Sequence, residues 1–516
     1  MADKAAIDFG NSNTVLAVWD EKAQTAGILR VPGFSLPDTF LIPSVISYEP
    51  DGRYFIGTQA SIGDMAGRRE FRWMKRYINL RSPYSLRVGE ERIDARHAAE
   101  DFLNAAAAAF FAAGKEPPDE LVLSVPVESF EHYSDWLMNS AKLFANTRLR
   151  LIDEATAAAA GYGLKLHPGD TLLVIDFGGS TLQAVCVSVS EEGEKLGRCC
   201  TVLGKAGCGI GGMTLDRWIY QDILMRLERN ENDPLVRAAS AELLRWCEKI
   251  KTELSLRESV TFDLFPEQNL VITRGELETL FRAKHLFDSI GTVIEEALRA
   301  AEDHGLRRED LTAVLPVGGS CLIPSVTGHI ESLFPQGKIL RGEPLGAVAR
   351  GAAVIAGGMH IYDFIQHSYA IRVLDRKSGG YSFRPVVEKG TSYPQKQVGR
   401  TMRLKAAYDG QQRFGLSIYE IRESAGIHES RNEIFFSEEG AVQVMPLTEA
   451  ERSAGELFWI NEKDPLFLTT DTAPARGAPQ FEVSFGIDAN KMLTVTAKNL
   501  TSGDIVLKDH PVVRLV

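Results

Sequence analysis

The feature that most constrains this chain is an internal echo. Residues 7–12 read Ile-Asp-Phe-Gly-Asn-Ser, and residues 175–180 read Ile-Asp-Phe-Gly-Gly-Ser. Each copy is followed by a strand-like apolar run, Val15–Trp19 after the first and Ala184–Val189 after the second. Strand, Gly-containing turn and strand make a β-hairpin in both places. The offset of 168 residues is about one domain length. It predicts a duplicated unit: two similar lobes, each presenting a turn with one Asp at its mouth.

Between the hairpins, the stretches Ala95–Ala113, Phe130–Phe144 and Glu154–Gly161 read as helices, and Leu121–Val125 and Leu149–Ile152 as buried strands. That alternation predicts an α/β lobe. After the second hairpin, Leu215–Leu227, Ala238–Leu254 and Arg274–His304 carry helical patterns. Ala313–Val317 then reads as a strand and Val348–Ile355 as a small-residue helix. Past Gly358 the texture changes to short alternating runs: Tyr369–Leu374, Met402–Ala407, Leu416–Ile421, Gln480–Ile487 and Leu493–Ala497. Such runs predict an all-β sandwich domain over 366–516. The two lobes span about 1–165 and 166–357, and 358–365 reads as a short apolar docking linker. The polar stretch Ser424–Pro465 reads as loop-rich.

Composition narrows the function. A chain of 516 residues exceeds one core. Its 57 basic and 69 acidic residues leave a net charge of −12, which gives no general attraction to nucleic acid or anionic membranes. The start of the chain shows no secretion signal, and no run supplies the ~20 apolar residues of a membrane helix. The six cysteines form no Cys-x-x-Cys pair and read as reduced core thiols of a cytoplasmic protein.

Glycine in a turn lets backbone N–H groups approach an anion, and Ser, Thr and Asn side chains add donors. An Asp at the strand end can hold the water shell of a Mg²⁺ ion that bridges phosphates. Two such turns facing each other make a physically sensible ATP site. The plainer alternative is a pair of unrelated Asp-Phe-Gly turns, and the matched flanks weigh against it.

The paired turns, with Val317-Gly-Gly-Ser320 after a strand, resemble the actin-like ATPase superfamily. Four further stretches resemble its heat-shock-seventy (DnaK-like) branch. They are Leu123-Ser-Val-Pro-Val127, Leu151-Ile-Asp-Glu-Ala-Thr-Ala-Ala-Ala159, Cys247-Glu-Lys-Ile-Lys-Thr-Glu-Leu-Ser255, and Pro474–Val483 with Ile487–Lys498. The resemblance spans nearly the whole chain in family order. It implies a duplicated ribonuclease-H-like nucleotide-binding domain, a β-sandwich peptide-binding domain, and ATP/ADP with Mg²⁺ as cofactors. A peptide or unfolded-protein client and a co-chaperone are the implied partners.

The resemblance also assigns roles. Asp8, Asp176 and Glu154 would hold the metal through water, and Lys75 and Thr181 would face the γ-phosphate. Gly10, Asn11, Ser12 and Asn13 would bind phosphate from one side, and Gly178, Gly179 and Ser180 from the other. Gly211 and Gly212, then Glu248, Lys251 and Ser255, then Gly318, Gly319 and Ser320, would surround the nucleoside. From composition alone, Lys75 between Arg72 and Arg76 is a solvated face residue, and Glu248 with Lys251 is a surface pair.

The departures matter as much. Gln183 stands where the family has a second Asp, which weakens an implied K⁺ ion and predicts slow hydrolysis. Ala155 replaces a Pro tied to signalling between domains, Leu322 an Arg that packs on adenine, and Met213 an acidic residue. No helical pattern follows Val495, so a helical lid is not expected. Ile371, Val373, Leu416 and Ile418 are the candidate lining of an open groove, although alternating apolar residues more often form sandwich core. The function expected is a slowly hydrolysing, nucleotide-gated chaperone. A regulatory scaffold with little turnover and a small-molecule kinase on the same fold are the alternatives.

Overall fold

The computed structural model describes residues 4–61, 68–112, 118–127, 131–140, 147–163, 167–190, 199–265, 268–365, 367–374, 381–421, 432–436, 442–446, 457–462, 464–488 and 491–515. The chain divides into two compact units. The first comprises Met1–Glu128, Trp136–Ile361 and Ile427–Leu447; the second comprises Ser129–Asp135, Tyr362–Gly426 and Thr448–Val516.

Two sheets organise the first unit, and they are built alike. One runs in the order Arg148–Asp153, Glu120–Val125, Lys4–Phe9, Asn13–Asp20, Thr25–Leu29. The other contains, in order, Ala313–Val317, Thr171–Phe177, Leu182–Ser190 and Cys199–Cys208. In both, the first hairpin strand lies parallel to a neighbour and antiparallel to its hairpin mate. The registers coincide as well. Ile7↔Leu16, Asp8↔Val15 and Phe9↔Thr14 become Ile175↔Ala184, Asp176↔Gln183 and Phe177↔Leu182 when 168 is added. A one-residue slip would turn the aspartates to the other face.

Burial explains why these strands read as continuous apolar runs. Leu172, Leu173, Val174 and Ile175 have no exposed surface, as a strand covered on both faces requires. Each fully buried Leu, Val or Ile contributes about 1.5–3 kcal/mol. Helices Glu154–Gly163 and Ala347–Gly357 pack against each other, and their Ala and Gly residues let the two backbones come close. The stretch expected as one helix over Arg274–His304 is two, Arg274–Ala283 and Leu286–Glu302. His285 breaks it by adopting φ +56°, a left-handed conformation that carries no sequence signature in a His. Of the helix expected at Phe130–Phe144, Glu131–Ser140 is observed, and the flanks lie outside the described residues.

The second unit is a β-sandwich. One sheet runs Tyr381–Val387, Ser368–Leu374, Ile418–Ile421, Leu457–Trp459, and the other Gln395–Lys405, Pro479–Ile487, Met492–Asn499, Ile505–Arg514. Both contribute to one core, with Ile371 and Ile418 from the first and Phe481, Val483, Leu493 and Val495 from the second. The run Leu416–Ile421 divides between two sheets. Arg413–Leu416 pairs Leu466–Thr469, while Ile418–Ile421 pairs Ser368–Leu374.

The expected groove lining requires correction. Ile371, Leu416 and Ile418 are 2%, 1% and 0% exposed, and Val373 packs on the same cluster. A side chain sealed in a core cannot meet a peptide. Two other expectations also shift. The segment 358–365 is not plain linker, since His360–Phe364 forms a strand paired with Ser392–Tyr393. Within Ser424–Pro465, Asn432–Phe436 and Val442–Pro446 form an antiparallel hairpin that belongs to the first unit, inside the range assigned to the β domain. Among the described residues no helix follows Gly357, and none is long and apolar enough to cross a membrane. All six cysteines are buried, and none forms a disulfide.

Candidate nucleotide site

The two hairpin turns touch. A Cβ added to Gly179 would stand 2.4 Å from the Ser12 hydroxyl oxygen, so a side chain there would have to push that hydroxyl aside. The second turn is closed by the Gly178 amide donating to the Thr181 carbonyl (3.0 Å). It is buttressed from behind, because Gly212 and Met213 amides donate to the Gly178 and Gly179 carbonyls at 3.0 and 2.8 Å. The Ser320 hydroxyl adds a bond to the Gly178 carbonyl (3.0 Å), and Gly211 lies against the Ser180 backbone. Gly318 bends at φ +83°, where a Cβ would strike the Phe177 carbonyl (2.5 Å) and Asp176 Oδ1 (2.7 Å). The expected phosphate-side residues of both lobes therefore form one contiguous surface. Gly10 is anchored by the Ser44 hydroxyl donating to its carbonyl, while Asn13 opens the strand beside Pro43.

At the mouths of the turns the carboxylates converge. Lys75, 3% exposed, donates to the Phe9 carbonyl (2.9 Å) and forms an ion pair with Glu154 Oε1. The local fold presents this lysine through a sharp bend. Trp73, between strand Arg69–Arg72 and helix Met74–Asn79, holds φ +57°, a costly conformation for a bulky residue and one found at functional sites. Burial pushes the Asp8 carboxyl up to about 6 and the charge of Glu154 adds to that, while Lys75 and a hydrogen bond from the Ser124 hydroxyl (2.6 Å) oppose it. Asp176 is also raised, by burial first and then by the charges of Glu154 and Asp8. Both shifts are those of buried carboxyls, with neighbouring carboxylates adding to the effect.

Whether the residues fit a magnesium nucleotide can be judged from this crowding. Asp8, Asp176 and Glu154 ionised against Lys75 leave two uncompensated negative charges, which a divalent cation would offset. The Asn11 side chain, 5% exposed, accepts from the Arg76 amide through Oδ1 (3.2 Å), while its buried Nδ2 has no hydrogen-bond partner. An orphaned donor in a glycine turn suits an anion. The fit is good. Gln183, which stands where a monovalent cation would be weakened, turns its oxygen to the Val127 amide (3.0 Å) and its nitrogen to Glu154.

On the nucleoside side the expected residues are present but engaged with protein. Lys251 donates to the Gly212 carbonyl (2.9 Å) and pairs with Asp216 (2.7 Å), whose carboxyl burial pushes up to about 6 against that lysine. The Ser255 hydroxyl turns back onto the Lys251 carbonyl (3.1 Å). Glu248 pairs with Arg72 at 3.5 Å and lines a crevice with Glu70, Trp73, Asp216, Leu244 and Arg245. Leu322 is half exposed, and Gly319 is exposed beside it.

Sequence reasoning missed three features. Trp73 carries no motif. Asp216 is one acidic residue among many. The fully buried ion pair of Lys205 with Asp153 joins residues far apart in the chain. Gln183 was visible as a departure, and its bonding was not.

This geometry agrees with the comparisons. Residues 121–426, more than half of the chain, match the family model described as Hsp70 protein. The chaperone protein DnaK of Deinococcus proteolyticus is 26% identical over 548 residues, an alignment covering 98% of this chain and 78% of that one. Duplicated hairpins with matched register, a carboxylate cluster at their mouths and a β-sandwich later in the chain thus coincide with a family match, and the chain belongs to the Hsp70 family, with its actin-like ATPase fold and its use of ATP, ADP and Mg²⁺.

Proposed function

We propose that this chain binds Mg²⁺-ATP between its two hairpin turns, hydrolyses it slowly, and couples nucleotide state to the binding of an extended or unfolded protein segment by its C-terminal β unit. The observation that carries the reading is the convergence of Asp8, Asp176 and Glu154 around the Lys75 ammonium, where two turns meet. Asn11, Ser12 and the Gly178–Thr181 turn would hold the phosphate chain, and Lys75 would place positive charge against the transferring γ-phosphate. Bound Mg²⁺ would screen the phosphate charge, held through water by Asp8, Asp176 and Glu154. Clients and co-chaperones of DnaK type are the expected partners, with no peptide-contacting residue assigned.

Calorimetric titration with Mg²⁺-ATP and single-turnover phosphate release test the nucleotide half. Binding heat with release that falls about 100-fold in Lys75→Met is the expected result. Absence of heat would end the reading. A fluorescent extended peptide, titrated in ATP and ADP, tests the coupling; equal affinity in both states would remove it.

One observation favours a second reading, a nucleotide-gated scaffold with negligible turnover. Lys75 and Glu154 are already satisfied by each other, by the Phe9 carbonyl and by Gln183. Phosphate release at the uncatalysed rate, with intact binding, would select it.

A further inference from the structure

Gln183 faces Asp176 across the second hairpin at the position Val15 occupies opposite Asp8 in the first. An amide thus replaces an apolar side chain at one site of the repeat. Gln183 is 0% exposed, and its bonding is complete. Its oxygen accepts from the Val127 amide (3.0 Å), and its nitrogen donates to Glu154 Oε2 (2.8 Å) and to the Thr181 hydroxyl oxygen (2.9 Å). The orientation follows from chemistry. A backbone N–H only donates, so it meets the oxygen, and an ionised carboxylate only accepts, so it meets the nitrogen. Val127 and Glu154 come from the first lobe, Thr181 and Gln183 from the second.

One consequence concerns Thr181. Its oxygen accepts from Gln183, so its own hydrogen is free to donate elsewhere. Another concerns Glu154, whose two oxygens are held from opposite sides, one by Lys75 and one by Gln183. We propose that Gln183 is a positioning residue that sets the Thr181 hydroxyl as a donor to the γ-phosphate and fixes the Glu154 carboxylate beside Lys75. Gln183 therefore favours ATP over ADP without touching either. This rests on the reading of the site as a Mg²⁺-ATP site.

The test measures Mg²⁺-ATP and Mg²⁺-ADP affinity by calorimetry for the wild type, Gln183→Met, Thr181→Val and the double variant Gln183→Met/Thr181→Val. Gln183→Met removes both donations at nearly constant volume, and the ratio of ATP to ADP affinity is expected to fall about tenfold. The double variant should lose less of that ratio than the two single losses combined, since Gln183 acts in part through that hydroxyl, whereas a merely structural role would give losses that add. An unchanged ATP-to-ADP ratio in Gln183→Met, or additive losses in the double variant, would each overturn the proposal. A wild type that binds neither nucleotide would overturn the underlying site as well, and is recognised because it appears before any variant is made.

Discussion

Lys205 and Asp153 form an ion pair in which neither side chain has any exposed surface. The lysine comes from strand Cys199–Cys208 and the aspartate from Arg148–Asp153, one strand from the sheet of each lobe. Asp153 immediately precedes Glu154, so this pair fixes the base of the carboxylate cluster.

Breaking that pair should be expensive. Lys205→Met leaves a buried carboxylate without its counter-charge, and a loss of about 3–5 kcal/mol in urea denaturation is expected. The double variant Lys205→Met/Asp153→Leu should recover much of it, because replacing both charges removes the desolvation penalty along with the attraction.

The carboxylate cluster predicts a pH dependence. Asp8 rises from its ordinary 3.8 to about 6, and Asp176 shifts the same way. A carboxyl with a raised pKa holds an extra proton in the folded chain. Its contribution to stability is complete below about pH 4 and is lost as pH climbs through about 6. Without nucleotide, the urea midpoint should therefore decline over that interval. Mg²⁺ binding needs the ionised forms, so calorimetry near pH 6 in buffers of different ionisation enthalpy should detect proton release on adding Mg²⁺-ATP. Equal heats in both buffers would contradict the crowding.

Gly318→Ala should lose nucleotide binding and about 1–3 kcal/mol of stability. The φ of +83° disfavours any Cβ, and the added atom would lie 2.7 Å from the Asp176 carboxylate. Gly337→Ala, also at positive φ (+90°) but with nothing within 4 Å of its Cβ, should reproduce the strain and keep the binding.

Phosphate release should not require potassium. Gln183 is neutral and its oxygen already accepts from the Val127 amide, so this side chain is a weakened ligand for a monovalent cation. Exchanging K⁺ for a bulky organic cation at constant ionic strength should leave the single-turnover rate unchanged, and a marked fall would show that another group supplies the site.

Much of this arrangement was legible in the chain itself because its causes are local. The hairpins follow from apolar runs around a glycine turn, and the 168-residue offset transfers directly into the strand register. The family motifs located Lys75 and Glu154, whose ion pair joins residues 79 apart. What escaped depends on tertiary surroundings. Alternation told which residues of Ser368–Leu374 share a face, but not that Ile371 meets core where a groove was expected. The break at His285 depends on a backbone conformation that histidine does not advertise. Gln183 read as a lost charge, because a sequence does not record which way an amide turns.

The contact between Gly179 and Ser12 means that the two repeats are sterically tied to each other. A bulkier residue at either bend must be answered by a change at its twin, 167 positions away. Duplication began as redundancy. Here it has become mutual obligation, and neither half could be exchanged for a copy of the other without rebuilding the seam between them.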